Sequence, residues 1–281
     1  MRVDEIARQA AKGQVDDRAS SFNMSVDEIA RRAASGSIPA QVRYGEELFR
    51  AGRQEEAEAW FEAAVAGSDS ASKSDVAKNI ASRLRPGSAS KERDDIRAAE
   101  RWYSRSFDLG SNMAAVQLGL LLWQVGDPDE ADRWFERAVE RDSGMAYWIA
   151  INLDGRRDGP RSGAEAALRA RWLRRGAERG DLTSMGVYAE ALRTGMGVER
   201  SETEAFRWYE AAARHPRASV YDLLTLAELY ADGVGTPPDR TAAAAALDAA
   251  KGESLDSSDT TLLDRMKSLE RRLNADGATK R

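Results

Sequence analysis

Few residues in this chain have the types and spacing that chemistry needs. There is one histidine, His215, in the run RHPRA, and no cysteine. Zinc-type sites draw several imidazole and thiolate ligands together, so the sequence predicts no metal. The lack of cysteine removes thiol nucleophiles and disulfides and fits a reducing, cytoplasmic setting. No G-x-S-x-G, G-x-x-x-x-G-K-[ST] or strand-linked G-x-G-x-x-G is present. Gly195-Met196-Gly197 has the look of a phosphate loop, but it joins two helical stretches rather than a strand to a helix. The carboxylate pairs Glu46-Glu47 and Glu55-Glu56 are of the type used for acid–base work, yet they stand on solvated helix faces. The expectation is a chain with no catalytic centre and no cofactor, not an enzyme.

One local charge feature stands out. Eight arginines lie in residues 156–179 (Arg156, Arg157, Arg161, Arg169, Arg171, Arg174, Arg175, Arg179) against Asp158, Glu165 and Glu178, in a chain of net charge −5. Arg171, Arg174, Arg175 and Arg179 recur at helical spacing around Trp172. The cluster reads either as an ordinary solvated helix face or as a patch for an acidic peptide, a phosphate or a nucleic-acid backbone. The overall acidity argues against nucleic acid as the main partner.

The elements that would position these groups are helical. Trp60-Phe61, Trp102-Tyr103, Trp134-Phe135, Trp172-Leu173 and Trp208-Tyr209 recur 32 to 42 residues apart. Ala57, Ala99, Ala131 and Ala205 precede four of the tryptophans by three positions, and Arg169 takes that place before Trp172. Ala205, Trp208, Tyr209 and Ala212 make one helical stripe. Such a period signals stacked helical hairpins with the five indoles as equivalent pegs. The insertion at residues 86–94 accounts for the longest spacing and is expected to be a mobile loop.

Both ends carry further helices. Residues 1–13, MRVDEIARQAAKG, match residues 24–36, MSVDEIARRAASG, at ten of thirteen positions. The second copy is placed to seal the first hairpin. The first follows a polar linker, residues 14–23, and either packs in tandem as a cap or docks on a partner or a second subunit, giving a homo-oligomer. Leu262, Met266, Leu269 and Leu273 form one stripe on a terminal helix over residues 259–273, a cap for the last hairpin, with residues 274–281 as a disordered tail. No stretch is long and apolar enough for a signal or a membrane span.

At these residues the chain resembles two related families. The turns GMGV and DGVG, followed by A-x-x-W-Y-x-x-A-A or its degenerate copy, resemble the Sel-one-like repeat. Gly45, Gly52, Ala57, Phe61 and Ala64 resemble the tetratricopeptide repeat, as do Gly119, Gly126, Ala131, Phe135 and Ala138. The resemblance implies an all-α, right-handed α-solenoid of about six helix-turn-helix repeats with capping helices at both ends. The expected division is an arm at 1–23, the solenoid at 24–252, and a cap and tail at 253–281. It also implies a non-catalytic adaptor, scaffold or assembly factor that binds a protein or peptide in a concave groove. A sensor solenoid for a small peptide or anion is the alternative. Carried over by position, the groove residues are Glu46, Phe49, Arg50, Leu120, Trp123, Gln124, Glu190, Arg193, Thr194, Glu228, Ala231 and Asp232. Trp123 is read as either a hot spot or core.

Overall fold

Serine and aspartate mark helix starts, and glycine marks the stops. In a computed structural model, residues 24–85, 93–153, 163–252 and 260–278 are described. Fourteen helices lie among them, and several follow that punctuation. The Ser25, Asp181, Ser201 and Ser219 side chains accept from backbone amides of the first turn, satisfying donors that have no partner inside the helix. Gly126, Gly195 and Gly233 close helices in the left-handed region. The first copy of the duplicated segment, its linker, most of the 86–94 insertion, and Arg156, Arg157 and Arg161 lie outside the described residues.

The chain falls into two compact units, Met1–Arg137 and Ala138–Arg281. The first holds α1 (Val26–Ala34), α2 (Ile38–Arg50), α3 (Gln54–Gly67), α4 (Lys73–Leu84), α5 (Arg93–Asp108), α6 (Asn112–Val125) and most of α7 (Pro128–Arg141). The second holds α8 (Met145–Asn152), α9 (Gly163–Glu178), α10 (Leu182–Thr194), α11 (Glu202–Ala213), α12 (Val220–Asp232), α13 (Arg240–Gly252) and α14 (Thr260–Ala278). Inside each unit a helix packs mainly on its neighbours in sequence: α2 on α3, α4 on α5, α10 on α11 and α12 on α13. This is the pattern of an all-α solenoid.

Burial repeats with the sequence period, but the peg is not the tryptophan. The residue after each indole is buried in every hairpin that carries one: Phe61, Tyr103, Phe135, Leu173 and Tyr209. Trp60, Trp102 and Trp172 are buried, whereas Trp134 and Trp208 are half-exposed. Their ring partners differ too. Trp60 stands edge-on to Tyr44, and Trp208 to Tyr188, each within its own hairpin. Trp102 stands edge-on to Phe61, and Trp134 to Phe107, on the preceding hairpin. The expectation of five equivalent indoles is corrected. Position i+1 is the constant insertion, and the indole fills whatever space the next layer leaves.

Small residues flank the peg for a reason visible in the packing. Three positions before the tryptophan, Ala57, Ala99, Ala131 and Ala205 are all buried. Four positions after it, Ala64, Ser106, Ala138, Gly176 and Ala212 are all buried as well. A β-carbon on Gly176 would stand 2.7 Å from the Ala146 methyl. Where its counterpart is Ser106, the hydroxyl donates to the Ser74 carbonyl at 2.7 Å, so even the polar variant is satisfied.

The terminal helix does what its stripe implies. Met266 and Leu269 are buried in a core with Val220, Leu224 and Leu247, with Leu262 and Leu273 packed beside it. It extends further than the stripe, to Ala278, so part of the expected tail is helical.

Candidate interaction surface

The groove residues carried over from the repeat pattern lie on the first helix of each pair. In unit 1 they are brought together at the C-terminal ends of α2, α4 and α6. The Glu46 carboxylate is buried and accepts from Arg50 one turn on and from Arg83 of α4, the latter at 2.7 Å. Next along, Arg85 donates to the Gln124 side chain of α6 at 3.0 Å. These two links tie three successive first helices into one row. Phe49 and Trp123 are half-buried on those helices, and Arg50 and Gln124 are exposed. Trp123 is therefore neither core nor free surface. Leu120, also half-buried, lies on the same helix. Arg50 and Arg83 both pair with Glu46, and Arg50 also lies 4.0 Å from Glu47.

A second cleft in unit 1, about 610 Å³, runs between α5 and α7 over Leu118, Leu122 and Trp134. Its rim carries Glu100, Asp108, Asp127 and Glu130 beside Arg101 and Arg105. Burial, then the charge of Glu130, pushes the Glu100 carboxyl up from its ordinary value. Arg101 reaches back to Glu58 of α3, which also accepts from Trp102 Nε1 at 3.0 Å. The cleft follows from the packing of successive hairpins rather than from any residue set selected in the sequence.

In unit 2 the expected groove residues are spent inside the unit. Glu190 accepts two bonds from Arg193, at 2.8 and 2.7 Å, and a third from the Tyr209 hydroxyl at 2.9 Å. The Arg193 bonds hold its carboxyl below the ordinary value. Burial, then the bond to Glu190, pushes the Tyr209 hydroxyl well up. Thr194 bonds back to the Glu190 carbonyl. Glu228 is clasped by Arg265 of α14 at 3.1 and 2.7 Å, and Asp232 pairs with Arg272. Arg265 also lies over the exposed Tyr221 ring, 5.1 Å from its centre. Ala231 is half-buried beside the same core. The α14 contacts repeat the Glu46–Arg83 link: the terminal helix takes the seat of a seventh first helix.

The arginine patch lies on α9. Arg171 and Arg174 are exposed, with Arg171 5.4 Å over the Trp172 ring and Arg174 bonded to Glu178 at 2.7 Å. Arg179 lies 4.0 Å from Glu140, and Arg175 is half-buried. Arg169 is turned away from the others, into a cleft of about 190 Å³ with Glu190, Thr194 and Met196, its guanidinium 3.8 Å from the Met196 sulfur. The patch is thus a set of arginines with separate jobs rather than one cationic face. Sequence reasoning missed the arginines that matter in unit 1, Arg83 and Arg85. The 86–94 insertion separates them from α6, and no tryptophan pair marks their own helix.

No helix among the described residues is long and apolar enough to cross a membrane, and no group of three metal-type side chains converges there. The chain matches no curated protein. Among solved structures it is similar to a protective antigen present in uropathogenic Escherichia coli strains displaying an SLR fold. That match has 19% identity and a TM-score of 0.43, over 96% of this chain and 60% of that one. It is also similar to a Sel1 repeat protein from Oxalobacter formigenes, at 22% identity and TM-score 0.39, over 78% of this chain and 89% of that one. A third, described as a sel1 repeat protein from Klebsiella pneumoniae subsp. pneumoniae, shares 15% identity with TM-score 0.25, over 88% of this chain and all of its own length. The chain spans 60% of the length of the first of these. The Sel1 repeat matches residues 79–111, 184–215 and 225–245, and the tetratricopeptide repeat matches residues 114–144. Repeats of these two kinds generally mediate protein–protein interaction. The chain thus carries Sel1 repeats on both sides of one tetratricopeptide repeat.

Proposed function

We propose that this protein is a non-catalytic adaptor or scaffold that holds a peptide or helix of a partner on the first-helix row of unit 1. The observation that carries this reading is the row itself. Phe49 and Trp123 offer half-buried rings, and Arg50 and Arg83 surround a single buried carboxylate. A complementary ligand carries an apolar anchor and an acidic residue, since aromatic and arginine side chains dominate such contacts. The corresponding residues of unit 2, Glu190, Glu228 and Asp232, are occupied by arginines of their own unit and contribute less. The absence of cysteine supports a reducing compartment such as the cytoplasm.

The experiment is a pull-down from the native host with wild-type protein, Trp123→Ala and Arg50→Glu/Arg85→Glu, each checked for helicity. Loss of the same partners from both variants supports the row as the binding surface. An unchanged partner set with folded variants removes it. A second reading rests on the exposed Arg171 and Arg174, which suit an anionic ligand. It predicts salt-sensitive binding of inorganic polyphosphate that Arg171→Glu/Arg174→Glu abolishes; binding that the variant retains counts against it.

A further inference from the structure

The duplicated segment becomes informative once the docking of its second copy is seen. What α1 uses to dock is narrow. Ile29 and Ala33 are its buried side chains. The Gln41 side chain of α2 donates to the Ala33 carbonyl at 3.2 Å, a main-chain contact that any residue at that position offers. Gly36 then turns the chain into α2 with φ +96°, and the Ser37 amide returns to the Arg32 carbonyl at 3.1 Å. The first copy has the counterpart of each unchanged: Ile6, Ala10 and Gly13.

The three differences fall elsewhere. Ser25 is replaced by Arg2, Arg32 by Gln9 and Ser35 by Lys12. Ser25 caps the helix by accepting from the Glu28 amide, and Ser35 donates to the Arg32 carbonyl. Arg32 pairs with Glu28 of the same helix at 3.0 Å. None of the three is buried. The substitutions at Ser25 and Ser35 alter the helix's own bonds, and the two buried side chains, Ile29 and Ala33, recur as Ile6 and Ala10.

We propose that the surface of α2 under α1 is a socket for either copy. In the exchanged form residues 1–13 of the same chain sit there, with Ile6 and Ala10 in the seats of Ile29 and Ala33. Gly13 then stands where Gly36 stood, and residues 14–36 become a loop whose ends meet at Ser37. Loop closure costs grow slowly with length, so a loop of that size is permitted. Loss of the serine cap weakens the first copy by roughly fivefold, which makes residues 24–36 the resident and residues 1–13 the reserve. The copy that is out of the socket carries the same isoleucine–alanine face, free to engage another surface of that shape.

The test is a mutant cycle in the full chain, read by thermal unfolding. Ile6→Asp alone leaves the midpoint unchanged, because the resident copy still caps α2. Ile29→Asp lowers it by only about 3 °C, because the reserve copy takes over. Ile6→Asp/Ile29→Asp lowers it by at least twice as much, or prevents folding. If the double variant melts with Ile29→Asp, or Ile29→Asp alone fails to fold, the reserve copy does not use the socket. A rescue by Ile6 that strengthens with protein concentration also overturns the proposal, since exchange within one chain is independent of concentration.

Discussion

The two units close their hairpins in different ways. In unit 1, Gly45 on α2 faces the Phe61 ring on α3, and Gly119 on α6 faces the Phe135 ring on α7; a β-carbon at either glycine would strike the ring. The turns are short, ending at Gly52 and Gly126. In unit 2 the interiors of the last two hairpins hold alanine instead: Ala189 packs in one core with Tyr209, and Ala227 with Leu247. The close approach moves to the turn. A β-carbon on Gly197 would collide with the Ala166 carbonyl, and one on Gly235 with the Glu202 carbonyl. Each longer turn therefore lies on the start of the preceding hairpin's second helix. Unit 1 locks within the hairpin, side chain into backbone. Unit 2 locks between hairpins, backbone onto backbone. A side chain can yield where a carbonyl cannot, so the two devices differ in what they tolerate.

The largest expected effect breaks the peg in unit 1. Phe135→Ala empties a fully buried seat and costs about 4 kcal/mol, while Trp134→Ala, half-exposed beside it, costs clearly less. Urea unfolding of the two variants decides which residue is the insertion. Next, Gly235→Ala combines a left-handed backbone with a collision against main chain, for a loss of about 3 kcal/mol. No single side-chain change nearby restores it, in contrast to unit 1; a compensating substitution found by selection at Phe206 alone would blur that distinction. Smaller still, Glu228→Gln breaks the clasp by Arg265 and costs below about 1 kcal/mol, because both partners are part-exposed. Hydrogen exchange at α14 amides should rise in that variant while exchange at α10 stays level.

The smallest effect is one of pH. Glu190 titrates below its ordinary value of 4.5 because Arg193, and then Tyr209, bond its ionised form. A lowered carboxyl stabilises the fold above the unfolded-state value and loses that contribution as pH falls through the folded one. Acidification from pH 5 to 3 should therefore loosen the α10–α11 hairpin more in wild type than in Glu190→Gln, as followed by amide exchange at Tyr209. Equal loosening in both would mean that the triad does not stabilise the hairpin.

The tryptophan spacing made the hairpins legible, because large residues at a 32–42-residue period have few other causes. It did not reveal which of two adjacent aromatics points inward. Neighbours on a helix stand about 100° apart, and the stripe Ala57, Trp60, Phe61, Ala64 spans both directions. Only the small facing residue, Gly45 or Gly119, singles out the second aromatic. The partners of the expected groove residues in unit 2 were hidden for a different reason. Glu228 and Asp232 sit at ligand-facing positions by pattern, but their partners are 37 and 40 residues away on a helix that carries no repeat motif. Arg169 was visible as a departure from alanine. Its destination, the cleft with Met196, depends on a turn 27 residues later.

The most direct measurement is a double-mutant cycle between Gly119→Ala and Phe135→Leu. If the glycine exists to admit the ring, Gly119→Ala costs about 2 kcal/mol in the wild-type background and much less when leucine replaces the phenylalanine. Strictly additive losses would contradict the interlock as the device that holds unit 1 together.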